Sequence, residues 1–250
     1  MRFAALGLPV VLLLASCASG GTATQGAGSV PAEHLPAIDA IPTPAPLSLP
    51  PVLLVHGING SSADFDAMKQ RFVTDGWPAD RVFTIDFADP SWGCNVDNAS
   101  QLQARVASIL QETGAPSLQI VAHSMGNLSS RFFLKNLGGT AEVMTYVSLG
   151  GMHHGLASSC SPDFPGKPCV WSELCQSGEY IAQLNASPAT PGNLWWVSIF
   201  GTADTTVPNA SSTLDGAENI AIEGVDHVGL LQDAATFEQV KRVLRYPPHG

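Results

Sequence analysis

The sequence predicts an α/β fold, a mostly parallel central sheet with helices on both faces, and three observations lead to it. Short apolar runs of strand length recur between Pro51 and Ile222, and stretches with apolar residues at helical spacing lie between them. Near mid-chain, the run Leu118-Gln119-Ile120-Val121-Ala122 ends at His123-Ser124-Met125-Gly126, where strand spacing gives way to helix spacing. Strands alternating with helices require right-handed crossovers, a sheet covered on both faces, and ligands at the carboxyl ends of the strands.

Residues 51–55 are the first strand, and His56-Gly57-Ile58-Asn59-Gly60 follows as a turn rich in glycine. Ser61 can cap a helix with Asp64 three residues on, Phe65, Met68 and Phe72 mark its apolar face, and Gly76 stops it. Residues 81–87 make the next strand. Ala99, Leu102, Val106, Ile109 and Leu110 share one face of a second helix, ended by Gly114 and Pro116. The third strand runs into Ser124, and Leu128, Phe132, Leu134 and Leu137 then return near helical spacing. Residues 143–149, 195–200 and 219–222 are further buried strands, and Ala234, Phe237, Val240 and Leu244 line a closing helix. The alternation stops only between Gly151 and Asn193.

A chain of 250 residues that is 45% hydrophobic has room for one α/β domain with a full core. Its 11 basic and 21 acidic residues give a net charge of -10, which argues against nucleic acid as a partner and reads as a solvated acidic surface. Met1-Arg2 and the apolar stretch after it have the form of an export signal, too short to span a membrane. The stretch ends in Leu14-Ala15-Ser16-Cys17, which resembles the lipobox of bacterial lipoproteins, so residues 1–16 are expected to be removed and Cys17 to carry acyl chains. That implies an exported protein, lipid-anchored in the bacterial envelope (at the outer membrane if the host has one) or secreted. Residues 17–49, rich in Gly and Ala and then in Pro, cannot bury enough apolar surface to fold and are expected to be a tether to the domain at 50–250.

The other four cysteines, Cys94, Cys160, Cys169 and Cys175, favour two disulfides in an exported chain. Of three connectivities, Cys160 with Cys169 and Cys94 with Cys175 is preferred, because the first closes a local loop and the second pins that loop to the domain. A zinc site lacks the CxxC or HxxxH spacing that would support it.

The strand-to-helix junction has the form of a nucleophile elbow, whose tight turn needs small residues two before and two after the serine, here Ala122 and Gly126. A serine hydroxyl is a poor nucleophile at neutral pH, so Ser124 needs a neutral histidine as base and a carboxylate to orient it. Of seven histidines, His227 lies on the loop after the last strand and is the expected base. His34 is in the tether and His249 in the tail. His123, beside the elbow serine, is expected to point away as a base, His153 is expected to be structural, and His56, His123 and His154 remain as possible site-lining residues. Asp204, directly after the 195–200 strand, is favoured as the acid over Asp226, whose side chain should diverge from its neighbour His227. The backbone N–H groups of Ile58 and Met125 are the expected oxyanion donors. Phe164, Trp171 and Ile181 form either an apolar rim for acyl chains or a small core within the cysteine-bearing loop.

Val55-His56-Gly57-Ile58-Asn59-Gly60, Ala122-His123-Ser124-Met125-Gly126, Ser130-Arg131-Phe132-Phe133-Leu134-Lys135-Asn136-Leu137-Gly138-Gly139-Thr140 and Val147-Ser148-Leu149-Gly150-Gly151 resemble the small secreted bacterial triacylglycerol lipases of the lipase class 2 group, as do Asp204 and the Asp226-His227 region. The resemblance runs from about Pro51 to about Leu244. It implies the α/β-hydrolase fold with a minimal lid, hydrolysis of acyl esters or lipids through an acyl-enzyme, and no cofactor or metal. The segment from Cys160 to Cys175 is enlarged relative to that pattern. A monomer is expected, in contact with the membrane through its lipidated N-terminus. The alternative is a non-catalytic surface lipoprotein that binds lipid or a partner on the same scaffold.

Overall fold

The computed structural model describes residues 49–160 and 168–246. The expected signal peptide, Cys17, the tether up to residue 48, Phe164 and His249 lie outside the described residues.

Six parallel strands form one sheet: β1 (Val52–Val55), β2 (Val82–Ile85), β3 (Leu118–His123), β4 (Val143–Leu149), β5 (Trp195–Gly201) and β6 (Glu218–Ile222). The spatial order is β2-β1-β3-β4-β5-β6. Because the chain leaves β1 to one side and returns on the other, the turns after β1 and β3 are neighbours, with Val55 opposite Ala122. This is the switch point at which open α/β sheets bind ligands.

Alternation along the strands sends side chains to two cores. Val52 and Leu54 of β1 join Val121, Val147 and Val197 on the face covered by α1 (Asp66–Thr74) and α7 (Ala234–Arg245), which contribute Met68, Phe72, Phe237 and Val240. Leu53 and Val55 join Ile120, Tyr146 and Trp196 on the face covered by α2 (Asn95–Thr113) and α3 (Gly126–Asn136), which contribute Leu102, Val106, Ile109 and Phe133. Apart from Phe133, these are residues whose spacing announces each helix; α3 also contributes Leu134, which its spacing does announce. The first turn of α7 is capped by Asp233, whose carboxylate accepts the Thr236 N–H at 2.7 Å, and α2 ends at Gly114 in the left-handed region. Ser61 starts a 3-10 turn rather than α1 itself, and Asp64 reaches back to accept its N–H at 3.1 Å. The second strand is shorter than expected, ending at Ile85.

Between β4 and β5 the chain makes two short helices, α4 (Cys169–Leu174) and α5 (Glu179–Asn185), around a third apolar cluster of Met125, Leu128, Met152, Val170, Leu174, Tyr180, Ile181, Leu184 and Val207. A last short helix, α6 (Asn209–Ser212), precedes β6. The disulfides are Cys94–Cys169 and Cys160–Cys175, which corrects the expected pairing. The cause is the direction of α4. Cys169 opens that helix beside the start of α2, where Glu173 also accepts the Asn95 N–H and side-chain amide. Cys175, one and a half turns on, bridges to Leu156 and so lies near Cys160. Two disulfides fit folding in an oxidising, extracytoplasmic compartment. No helix among the described residues is long and apolar enough to cross a membrane.

Candidate active site

Ser124 follows the last residue of β3 with φ 55°, a left-handed conformation that a non-glycine residue adopts only when its surroundings enforce it. They do so here with hydrogen bonds. The Ser124 N–H donates to Leu149 O at 2.9 Å, and the side-chain amide of Asn127, in the first turn of α3, donates to Ser124 O at 2.9 Å. Asn127 is held in turn by the Tyr146 hydroxyl, which donates to its Oδ1 at 2.7 Å. The turn is also crowded. A Cβ on Gly126 would lie 2.3 Å from His56 O, and one on Gly57 would lie 2.7 Å from Ser124 Cβ. Glycine at these two positions is what lets the β1 turn, the elbow and α3 touch.

His227 Nε2 lies 2.9 Å from Ser124 Oγ, and His227 Nδ1 lies 2.7 Å from Asp204 Oδ2. A carboxylate can only accept, so Nδ1 carries the proton and Nε2 presents its lone pair to the serine hydroxyl. Asp204 is aimed by its loop after β5, where Oδ1 accepts the N–H groups of Thr206 and Val207, each at 2.8 Å. All three residues are nearly buried, 5% exposed for Ser124, 9% for Asp204 and 8% for His227. Asp226, the competing acid, turns away to accept the Gly229 N–H at 2.7 Å and shapes the turn carrying His227.

The other expected residues separate into those that reach the cleft and those that do not. A cleft of about 370 Å³ opens beside Ser124 and His227, with Gly57, Ile58, Asp64, His123, Met152 and Trp171 among its lining. Among the described residues, neither the Ile58 nor the Met125 N–H has a protein acceptor. Ile58 lines the cleft, and Met125 follows Ser124 directly at the start of α3. His123 does not point away from the site. It lines the cleft, its Nε2–H donates to His227 O at 3.0 Å, and its ring lies 4.6 Å from that of His227. Burial, followed by the nearby His227, lowers its pKa to about 4, so it is neutral at pH 7. His56 is absent from the cleft because it is fully used beneath the β1 turn, where Nδ1–H donates to Gly57 O at 2.7 Å and Nε2 accepts the Phe87 N–H at 3.3 Å. His154 is likewise turned away, toward Asn185. His153 is structural as expected, buried with Nε2 2.9 Å from Ser148 Oγ, and desolvation holds its pKa well below the ordinary value.

In the cysteine-bearing loop, Trp171 lines the cleft and also packs against the third apolar cluster, and Ile181 belongs to that cluster. Three supporting groups escaped the sequence reading: Asn127, Tyr146 and the buried Arg131. The Arg131 guanidinium donates to Leu184 O at 2.7 Å and to Asn185 Oδ1 at 3.0 Å, tying α3 to the end of α5, and burial lowers its pKa to about 10. Asn127 lay in view three residues after the serine, in the helix turn from which an amide can reach back to the backbone.

The arrangement can take a proton from Ser124, hold the resulting imidazolium against a carboxylate, and offer two N–H groups to an oxygen that becomes negative. The family description Lipase (class 2) matches residues 50–245. Among solved structures, mature Bacillus licheniformis lipase BlEst2 superposes with a TM-score of 0.69 at 20% identity, over 80% of this chain and 93% of that one. Aspergillus fumigatus lipase B gives 0.67 at 16% identity over 78% of this chain and 52% of that one. Phospholipase PlaB from Legionella pneumophila gives 0.65 at 14% over 78% and 60%. At these identities the likeness is one of fold, the α/β-hydrolase fold.

Proposed function

The chain belongs to the class 2 lipases, hydrolases acting on esters, and from that premise we propose that it is a serine carboxylester hydrolase working through an acyl-enzyme. The observation that carries this reading is the continuous hydrogen-bond path from Asp204 through His227 to Ser124. As Ser124 Oγ attacks the ester carbonyl carbon, its proton passes to His227 Nε2 and the carbonyl oxygen becomes an oxyanion facing the Ile58 and Met125 N–H groups. Collapse breaks the bond to the alcohol oxygen, which leaves with the proton from His227. Water then gives a proton to His227 as it attacks the acyl-serine, and collapse breaks the bond to Ser124 Oγ, which takes that proton back from His227 as the carboxylic acid leaves. Asp204 accepts the Nδ1–H of His227 and keeps its ring in the productive tautomer.

Ser124→Ala removes the nucleophile while leaving the elbow backbone in place. Its expected phenotype is loss of p-nitrophenyl ester turnover and of fluorophosphonate labelling, with an unchanged thermal transition. Turnover at the wild-type rate in that variant would reject the mechanism, and a wild-type protein that takes no label would favour the lipid- or partner-binding lipoprotein. The substrate side of the reading is an acyl ester or lipid. We also propose that Cys17 is the acylated N-terminus of the mature protein and anchors it to the envelope, on the strength of Leu14-Ala15-Ser16-Cys17. Mass spectrometry of the mature N-terminus checks this, and an unmodified terminus other than Cys17 would remove the anchor.

A further inference from the structure

Acyl transfer fixes how an ester must lie in this cleft, and this section rests on the ester-hydrolase reading above. The tetrahedral carbon carries four groups, and three are already placed. Ser124 Oγ is one, and the oxyanion faces Ile58 and Met125. The alcohol oxygen faces His227, which must protonate it, so the alcohol lies toward the loop that supplies Val228, Leu231 and Gln232 to the lining. The rest of the lining divides into Asn59, Gly60, Asp64, His123 and Thr206, which offer no apolar side chain, and Met152, Leu156, Trp171 and Leu174, which are the apolar residues left as a wall for an acyl chain.

That wall is apolar and firmly held. Trp171 and Leu174 are three residues apart on α4 and so share a face. Leu174 is buried in the cluster that also contains Met125, and Ile58, Leu156 and Trp171 pack against the same cluster. The oxyanion residues and the α4 face therefore form one continuous apolar body. α4 is fastened at both ends, at its start by Cys94–Cys169 and just beyond its end by Cys160–Cys175. Between these, the Glu173 carboxylate accepts the Asn95 N–H, and the Leu156 N–H donates to Leu174 O at 2.8 Å. Nothing in the cleft lining is a lysine or arginine, so an anionic acyl group would find no partner among the described residues.

We propose that the Trp171 and Leu174 face of α4 is the acyl-binding wall, that it takes straight, uncharged acyl chains, and that Trp171 is the residue that sets how strongly chain length is rewarded. Each methylene moved from water onto such a wall raises kcat/KM about fourfold until the wall ends.

The test compares p-nitrophenyl acetate with the octanoate in the wild type, Trp171→Ala and Trp171→Phe. Trp171→Ala is expected to lower the octanoate-to-acetate ratio of kcat/KM at least tenfold, the octanoate losing far more than the acetate, because truncating the ring removes surface that the longer chain covers and the acetyl group does not. Trp171→Phe should retain most of the ratio, since its ring keeps the wall apolar. In a second series, acetates of alcohols of increasing length, the ratio should not change. A purely structural role for Trp171 would lower every substrate by the same factor, and that result overturns the proposal. So does an unaltered ratio, or a change confined to the alcohol series. Wild-type protein that neither hydrolyses the acetate nor takes a fluorophosphonate on Ser124 overturns the ester-hydrolase reading, and this proposal with it.

Discussion

Gly57 is where the smallest change should have the largest chemical effect. A Cβ there would stand 2.7 Å from Ser124 Cβ and 3.3 Å from Ser124 Oγ, so the turn carrying Ile58 must move away from the nucleophile. In the proposed mechanism the Ile58 N–H would then leave the oxyanion, and losing one such donor costs about 3 kcal/mol of transition-state stabilisation. Gly57→Ala is therefore expected to lower kcat by about two orders of magnitude with little change in KM, read from steady-state ester kinetics. A loss confined to KM would show instead that the turn only binds substrate. At this scale the three residues that the structure joins by hydrogen bonds, and to which we assign the chemistry, were legible in the sequence, because Ser124, Asp204 and His227 each follow a recognisable strand. The residues that hold them were not. Asn127, Tyr146 and Arg131 act through contacts between segments distant in sequence, such as the Tyr146 hydroxyl on Asn127 Oδ1 and the Arg131 guanidinium on Leu184 O, and no local pattern encodes those contacts.

Elements long enough to repeat an apolar period were readable, and the shortest ones were not. Helices α1, α2, α3 and α7 and all six strands fall where their spacing places them, whereas the six-residue α4 and seven-residue α5 are too short to show a period. The cysteine pairing was misread for a related reason: sequence separation says nothing of the direction in which α4 runs, and that direction puts Cys169 beside Cys94 and Cys175 beside Cys160. The first of these bridges joins residues 75 apart, so breaking it frees a long loop in the unfolded chain. On loop-closure grounds, Cys94→Ser with Cys169→Ser should cost about 4 kcal/mol, which lowers Tm by roughly 10 °C in a domain of this size. It should also loosen the start of α2, because Glu173 reaches the Asn95 N–H only while α4 stays docked. Hydrogen exchange at the first amides of α2 reads that second effect. Unchanged Tm and unchanged protection there would mean that packing alone seats α4.

For the molecule as a whole, the buried histidines set the response to acid. His123 is held to a pKa of about 4 and His153 well below the ordinary value, both chiefly by desolvation. In the unfolded chain each returns to about 6.5. Below that pH the unfolded state binds protons that the folded state refuses, so stability is fully present above about pH 6.5 and is lost as the pH falls toward 4. A difference of the size at His123 corresponds to a limiting loss on the order of 3 kcal/mol, and His153 adds to it in the same direction. Two effects oppose this. Desolvation raises the pKa of Glu173, so its burial costs stability when ionised, and that cost is relieved as acid protonates it. The net charge of -10 also shrinks toward the pI near 4.9, which relieves self-repulsion. Two buried histidines act against this one carboxylate, and surface repulsion is screened at ordinary ionic strength. The histidines should therefore dominate between pH 6.5 and 5. Tm measured across that interval in moderate salt is expected to fall steadily, and His123→Gln, which keeps an N–H donor but binds no proton, should make the fall shallower. A transition that holds level or rises over the same interval would mean that charge relief outweighs the cost of charging His123 and His153.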